Sequence, residues 1–528
     1  MAGFCEIDRT ARPAAIRIPR DFNAAHDLIQ RNLAAGRADK TAIRDDNGTH
    51  TYGELAVRTN RAGNALRALG MGMEQRVLMI MLDSVDFAAV FLGAIKAGGV
   101  AVPVNTLLTT ADYAYMLRDS RARIAVVSAA LWDKIAPALA DQPFLEHVVV
   151  AGGEIPETEG LDGLLAAASD VLNPAPTTCD DVAFWLYTSG STGQPKAAVH
   201  LQSHIVQTAE LYAVGVLGIE ETDTVFSAAK LFFAYGLGNA LTFPLHVGAT
   251  AVLMAERPTP DSILSRLHAE RPSIFYGVPT LYAALLARDD LPAGEAIGLR
   301  RCVSAGEALP AELGRRWSTR VGVDILDGIG STEMLHIFVS VSPGDVKYGT
   351  TGKPVPGYEA RIVDDAGAEV AQGEVGDLLV SGPSGAIQYW NNREKSAATF
   401  EGRWTRTGDK YSRDEEGYYV YAGRSDDMLK VGGIYVSPFE VEGALIGHPA
   451  VLEVAVVGRK DENGLVKPKA VVVPQAGTVG DDALAEALKE HVKATLAPYK
   501  YPRWVEFAEA LPKTATGKIQ RFKLRDDA

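Results

Sequence analysis

Cysteine is scarce in this chain. Three thiols, Cys5, Cys179 and Cys302, stand far apart in 528 residues, with no CxxC pair. Such spacing excludes a disulfide scaffold and a zinc ribbon, and it fits a reducing cytoplasm. No uncharged stretch is apolar enough to span a bilayer. The nearest, Leu237 to Ala255, is interrupted by Pro244, His246 and glycines, and it reads as buried core. The first twenty residues scatter charges where a signal peptide needs an apolar centre. Basic charge is short as well: 52 Lys and Arg face 66 Asp and Glu, a net of −14. An acidic surface repels phosphate backbones and anionic lipid, so neither nucleic acid nor membrane is expected as a partner. Any phosphate ligand then needs a local site. Also missing are the GxSxG of serine hydrolases and the GxGxxG of dinucleotide folds; the nearest string, Gly328 to Glu333, ends in glutamate.

What is present is a globular pattern longer than one core. With 47% hydrophobic and 22% charged residues the chain is neither disordered nor fibrous, and its length exceeds the ~250 to 300 residues at which single cores stop growing. At least two domains are expected. Apolar runs at Val77–Leu82, Val100–Val104, Ile124–Val127, Val148–Ala151, Ala251–Ala255 and Ser273–Val278 read as strands. Between several of them lie helical patterns, such as Val85–Lys96 and Asp261–Glu270. This alternation predicts an α/β domain of mainly parallel sheets flanked by helices. The last hundred residues differ: β-rich runs from Leu452 and Lys469 come in succession. One helix follows, opened by Asp481 and Asp482, striped by Leu484, Leu488, Val492 and Leu496, and stopped by Pro498. That texture predicts a small α+β domain. Charges and glycines in Gly423–Gly433 place the border there, giving domains of residues 1–425 and 426–528.

The segment richest in chemistry is Tyr187–Lys196, YTSGSTGQPK, directly after the apolar run Val182–Leu186. Glycines, hydroxyls and a lysine at a strand end form a nest of donors suited to phosphate oxygens. A Walker A loop is excluded, because Pro195 stands where it needs glycine and Ala197 where it needs a hydroxyl. The competing reading is a plain Ser/Gly turn. The spacing of His200 and His204 suits two metal ligands on one helix face, but no third ligand accompanies them, which favours a structural pair.

TSGSTGQPK resembles the signature of the adenylate-forming superfamily, which comprises acyl-CoA ligases, adenylation domains and luciferases. SAGEALP (Ser304–Pro310), DGIGSTE (Asp327–Glu333), GEVGDLLVSG (Gly373–Gly382), RWTRTGD (Arg403–Asp409), GRSDDMLKVGG and LPKTATGKIQR (Leu511–Arg521) match it in order, nearly end to end. The resemblance implies a ligase using ATP, Mg2+ and coenzyme A. It implies ATP binding by Thr188, Ser189, Gly190, Ser191, Thr192, Gly193 and Lys196. Gly306, Glu307 and Asp327 would lie by the adenine, with Asp409 and Arg424 at the ribose. Thr332 would meet the α-phosphate, Glu333 would ligate magnesium, and Lys518 would be the catalytic cation of adenylate formation. Asp426 would be the hinge of a mobile small domain, and Gly432, Gly433 and Ile434 would line a pantetheine tunnel. Without that context Lys518 reads as a solvated tail lysine. Two positions depart from the common pattern: Ile329 stands where an aromatic residue usually faces adenine, and Phe233 where many members carry histidine.

KLFFAYGLGN (Lys230–Asn239) and STEMLHIFVS (Ser331–Ser340) resemble benzoate-CoA ligases in particular. The implied acyl pocket comprises Ala234, Tyr235, Ala305, Gly330, His336 and Ile337, and a histidine near His204 would stand at its wall. On the residues alone, Tyr235 and Ile337 are equally ordinary core. The expected function is thus formation of benzoyl-CoA, AMP and diphosphate from benzoate, ATP and CoA, in aromatic acid catabolism in the cytoplasm. The alternatives are a ligase for a substituted benzoate or heteroaryl acid, or an adenylation enzyme loading a carrier protein. The chain ends too soon after Lys518 for a fused carrier, which favours free CoA. Small-molecule partners and a monomer or homodimer are expected.

Overall fold

The structure, a computed structural model, describes residues 3–188, 194–425, 427–431, 434–462, 465–496, 500–513 and 519–525, apart from the side chains of Lys430, Ile434, Tyr435 and Phe522. Two large sheets carry the first two-thirds of the chain. A seven-stranded sheet runs in the order Lys196–Leu201, Val182–Thr188, Val100–Pro103, Arg76–Ile80, Ile124–Ser128, His147–Ala151, Glu159–Gly160. It is parallel except for its first pair. A nine-stranded sheet centres on the parallel strands Ile325–Gly330, Arg301–Ser304, Ile274–Gly277, Thr224–Ser227 and Thr250–Val252. The α/β expectation is met, with strands at the apolar runs.

Helix Val85–Lys96 shows why the two sheets hold together. The Ser84 hydroxyl accepts from the Phe87 N–H, Asp86 sits in the first turn and Lys96 in the last, so capping and dipole agree on its limits. It is apolar all round and therefore buried all round. Its core takes Val77, Met79 and Ala101 from one sheet and Ala42 and Ile43 from the other. Helix Tyr52–Ala68 crosses it glycine on glycine: a Cβ on Gly93 would come within 2.7 Å of the Gly63 nitrogen. Phe91, fully buried here, should cost ~3 to 5 kcal/mol on truncation to alanine.

Between residues 359 and 424 all strand pairing is antiparallel. Strands Glu359–Val363, Gly376–Ser381, Phe400–Glu401, Trp404–Arg413 and Tyr419–Arg424 form an antiparallel sheet. The turn between Arg413 and Tyr419 is too short for a parallel crossover. In its register Asp409 lies opposite Arg424.

Residues 429–507 build a separate core. Helices Pro438–Ile446 and Asp482–Thr495 cover strands Val451–Lys460 and Val466–Pro474 through Val441, Leu445, Val454, Val472, Leu488 and Val492. The Asp481 side chain caps the second helix by accepting from the Leu484 N–H, as its sequence predicts. A third strand, Trp504–Phe507, pairs in parallel with Val466–Pro474. No helix among the described residues is long and apolar enough to cross a membrane.

Candidate active site

Strand Val182–Thr188 turns back as Lys196–Leu201, so Thr188 pairs with Lys196. The candidate loop residues between them, Ser189, Gly190, Ser191, Thr192 and Gly193, lie outside the described residues. Lys196 does not stand alone. Its ammonium donates to the Tyr389 hydroxyl at 2.6 Å, and that hydroxyl donates to Glu333 Oε1 at 2.6 Å. Lys196 and Glu333 themselves are 3.7 Å apart. Burial lowers the lysine's pKa while Glu333 acts the other way. Burial, with Glu333 adding to it, holds the Tyr389 phenol well above its ordinary pKa, so the phenol keeps its proton and the direction of the chain is fixed.

Glu333 belongs to the loop after strand Ile325–Gly330, and that loop is held at several points. Thr332 O accepts from the Leu335 N–H at 3.2 Å, and Ala386 N–H donates to Glu333 O at 2.6 Å. Leu335 adopts a φ of +67°, a left-handed value that non-glycine residues rarely take. His200 Nε2 donates to Thr332 O at 2.8 Å, while its Nδ1 faces His204 Nδ1 at 3.1 Å. Burial drives the His200 pKa down to about 4 and that of His204 well below its usual value, so both rings are neutral. A neutral ring donating from Nε2 leaves its Nδ1 as an acceptor, and His204 Nδ1, which faces it, also lies 3.3 Å from the Leu201 N–H. The two histidines are a positioning pair on different elements, a strand and the start of helix His204–Thr208, not two ligands on one helix face. The structure pairs His204 with His200.

The six acyl-pocket candidates converge. Gly330 pairs with Ile337 across neighbouring strands, and a Cβ at Gly330 would come within 2.7 Å of the His336 backbone. The His336 ring lies 5.6 Å from that of Tyr235, whose hydroxyl donates to the carbonyls of Gly277 and Val303. Ala305 and Ile337 are buried in the same cluster, with Tyr235 packed against it, and Ala234 begins Tyr235's helix. Phe243, 4.5 Å from His336, and Tyr212, at 5.1 Å, complete the aromatic wall, and Asn239 Oδ1 accepts from His336 Nε2 at 3.1 Å. Burial pushes the His336 pKa down to about 3. A wall of neutral rings and small residues suits a flat apolar group and repels a carboxylate.

On the strand before that loop, Asp327 is buried, and burial raises its pKa well above the usual range despite the Ser304 hydroxyl. Gly306, at φ +90°, and Glu307 follow the next strand over, Arg301–Ser304. Asp409 accepts from Arg424 at 3.2 Å; its side chain is 11% exposed, against 46% for the arginine. Lys518, Asp426, Gly432 and Gly433 lie outside the described residues, as does the side chain of Ile434.

Tyr389, Phe243 and Tyr212 escaped the sequence reading, since none stands in a quoted motif, and Asn239 closes the segment Lys230–Asn239 without a role assigned from sequence. The metal question turns on Glu333. Among the described residues no cluster of three ligating side chains exists. A lone carboxylate with one oxygen held by Tyr389 fits Mg2+, which takes one or two protein carboxylates and the phosphates of its nucleotide.

The AMP-binding enzyme family matches residues 30–390, and the AMP-binding enzyme C-terminal domain matches residues 440–518. A benzoate–CoA ligase of Thauera aromatica is 62% identical over 520 residues, 98% of each chain. A 4-hydroxybenzoate–CoA/benzoate–CoA ligase of Rhodopseudomonas palustris is 49% identical, covering 96% of this chain and 94% of its own. Among solved structures, a benzoate CoA ligase from Burkholderia xenovorans LB400 superposes with a TM-score of 0.90 at 56% identity, over 96% of this chain and all of that one. The anthranilate CoA ligase AuaEII, in complex with anthranoyl-AMP, gives 0.93 at 45%, over 96% of this chain and 97% of its own.

Proposed function

The chain belongs to the AMP-binding enzyme family, and from that premise we propose that it is an ATP-dependent aryl-CoA ligase whose acid is benzoate. The observation that carries this reading is the 62% identity to a benzoate–CoA ligase from end to end, with the neutral aromatic pocket as its local counterpart. The first step joins a carboxylate oxygen to the α-phosphorus of ATP and releases diphosphate. In the second, the CoA thiolate attacks the acyl carbon and AMP leaves.

Each group then has a physical task. The ring enters between Tyr235, His336, Ala305, Gly330 and Ile337, while the carboxylate stays outside that uncharged wall, on the side of Thr332. Thr332 donates to the α-phosphate from a loop fixed by His200. Thr188, Ser189, Ser191, Thr192 and Lys196 hold the outer phosphates, and Gly190 and Gly193 let the backbone approach them. Glu333 takes the Mg2+ that arrives with the nucleotide. Asp409 accepts from the ribose hydroxyls, steadied by Arg424, and the adenine lies by Gly306, Glu307, Asp327 and Ile329. Two anions must meet in the first step, and Lys518 supplies the cation for that encounter.

The small domain, residues 426–528, turns at Asp426 between the two steps, and Gly432, Gly433 and Ile434 then flank the pantetheine arm. Three unpaired thiols suit a cytoplasmic setting. The direct test is diphosphate release from MgATP across a panel of aryl and alkyl acids. Benzoate is expected to head the panel with CoA consumed in parallel, and no release with any acid would refute the proposal. Ring analogues differing by one methyl should leak through, because a hydrophobic pocket discriminates a methylene by only ~1 to 3 kcal/mol.

A further inference from the structure

Lys196 and Glu333 carry opposite charges in a half-buried site, yet their ion pair is a loose one: at 3.7 Å they are too far apart for a direct hydrogen bond, and the Tyr389 hydroxyl bridges them. Tyr389 also offers its ring face, 3.9 Å from the ammonium. The lysine is therefore held by a neutral oxygen and a π cloud, both weaker than a carboxylate and both easily exchanged for phosphate oxygens. The carboxylate keeps Oε1 on the phenol. In a closed pair, an incoming magnesium nucleotide would have to break a partly desolvated salt bridge before binding.

The tyrosine itself is rigid. Residues 387–390 run along strand Lys196–Leu201: Val199 N–H donates to Gln388 O at 3.0 Å, Ile387 N–H to Val199 O at 3.1 Å and Trp390 N–H to Ala197 O at 2.8 Å. Tyr389 N–H donates to Ser396 Oγ at 2.9 Å. Trp390 stacks on Trp185 at 4.5 Å and donates from Nε1 to Asp119 O at 2.8 Å, which fixes the next residue along. Only 2% of Tyr389 is exposed.

Resting on the ligase reading, we propose that Tyr389 is a positioning residue for the nucleotide. It keeps Lys196 and Glu333 apart, and it aims the carboxylate at the metal once the lysine has moved to the phosphates. It donates to no atom that reacts. Its influence should fall on ligands that carry both outer phosphates and Mg2+, and on nothing later in the cycle.

The test is calorimetric binding to the whole protein, comparing wild type with Tyr389→Phe. Expected are MgATP affinity weakened about tenfold, AMP affinity unchanged, and thioester formation from synthetic benzoyl-AMP unchanged. Glu333→Gln should weaken MgATP as well, and the double variant should bind about as well as the weaker single, since both remove one linkage. Unaltered MgATP affinity in Tyr389→Phe would overturn the proposal. So would equal losses for MgATP, AMP and thioester formation, the signature of a merely structural role. Wild-type protein that binds no MgATP would refute the ligase reading itself, and with it this inference, before any substitution is made.

Discussion

His200 Nε2 donates to the carbonyl oxygen of Thr332 across 2.8 Å, tying strand Lys196–Leu201 to the loop that carries Thr332 and Glu333. The bond is part-buried, with its neutral donor ring fully buried, so removing it leaves a carbonyl with one partner fewer, at a cost of ~1 to 3 kcal/mol. His200→Ala is therefore expected to slow adenylate formation about tenfold or more with little change in the affinity for benzoate. Single-turnover measurement of diphosphate release checks this. A loss confined to acid binding would move His200 out of the role given it.

His336 is buried beside Tyr235 and Phe243 and held neutral, and its proposed place at the acid's ring predicts two separable effects. His336→Gln should change the ranking of benzoate against para-substituted acids while leaving the KM for ATP within about twofold. It should also alter the pH dependence of stability. The histidine's pKa is about 3 folded against 6.5 unfolded, so the unfolded chain binds more protons and wild-type stability falls as pH drops below 6.5. The glutamine variant lacks that penalty. Its stability deficit, read by denaturant unfolding, should narrow by about 1 kcal/mol per pH unit between pH 6.5 and 5. A constant deficit would mean that His336 is not buried neutral.

Asp409, deep in the sheet at 11% side-chain exposure, presents a carboxylate at the proposed ribose site. Asp409→Ala should raise the KM for ATP by roughly tenfold or more, and it should erase most of the preference for ATP over 2′-deoxy-ATP. Steady-state kinetics with the two nucleotides decide this. Retained discrimination would place the ribose elsewhere.

Lys518 is assigned to the first half-reaction alone. The described residue nearest to it in sequence beyond Ile519 and Gln520 is Arg521, which grips Glu442 at 2.7 and 3.0 Å and anchors that end of the segment in the small core. Lys518→Ala should lower benzoyl-AMP formation by ~10² or more while thioester formation from supplied benzoyl-AMP persists. Equal loss in both halves contradicts the assignment.

Local signals made much of the fold legible. Helix Val85–Lys96 could be read to its ends because Ser84 caps it and its apolar content exceeds what one stripe needs. Helix Asp482–Thr495 declared itself through its acidic cap and leucine stripe. Strand Trp504–Phe507 did not, since its four residues alternate weakly and only pairing with Val466–Pro474 makes them a strand. The antiparallel sheet from Glu359 was also hidden, because strand direction depends on partners rather than on composition. At the site, Lys196, Thr332 and Glu333 stand in motifs, but Tyr389 reaches them by pairing with Ala198, far away in the chain. The contact between His200 and His204 was hidden for a related reason: i, i+4 spacing gives a shared face only inside one helix, and a strand ends between these two histidines.

The acyl-adenylate itself is open to isotopic test. With benzoate labelled by 18O in both carboxylate oxygens, plus MgATP and CoA, the first bond made is from a carboxylate oxygen to the α-phosphorus, and that oxygen departs with AMP. Mass spectrometry of the products should find one 18O in AMP and none in diphosphate. Unlabelled nucleotide, with the label instead in inorganic phosphate, would contradict the account.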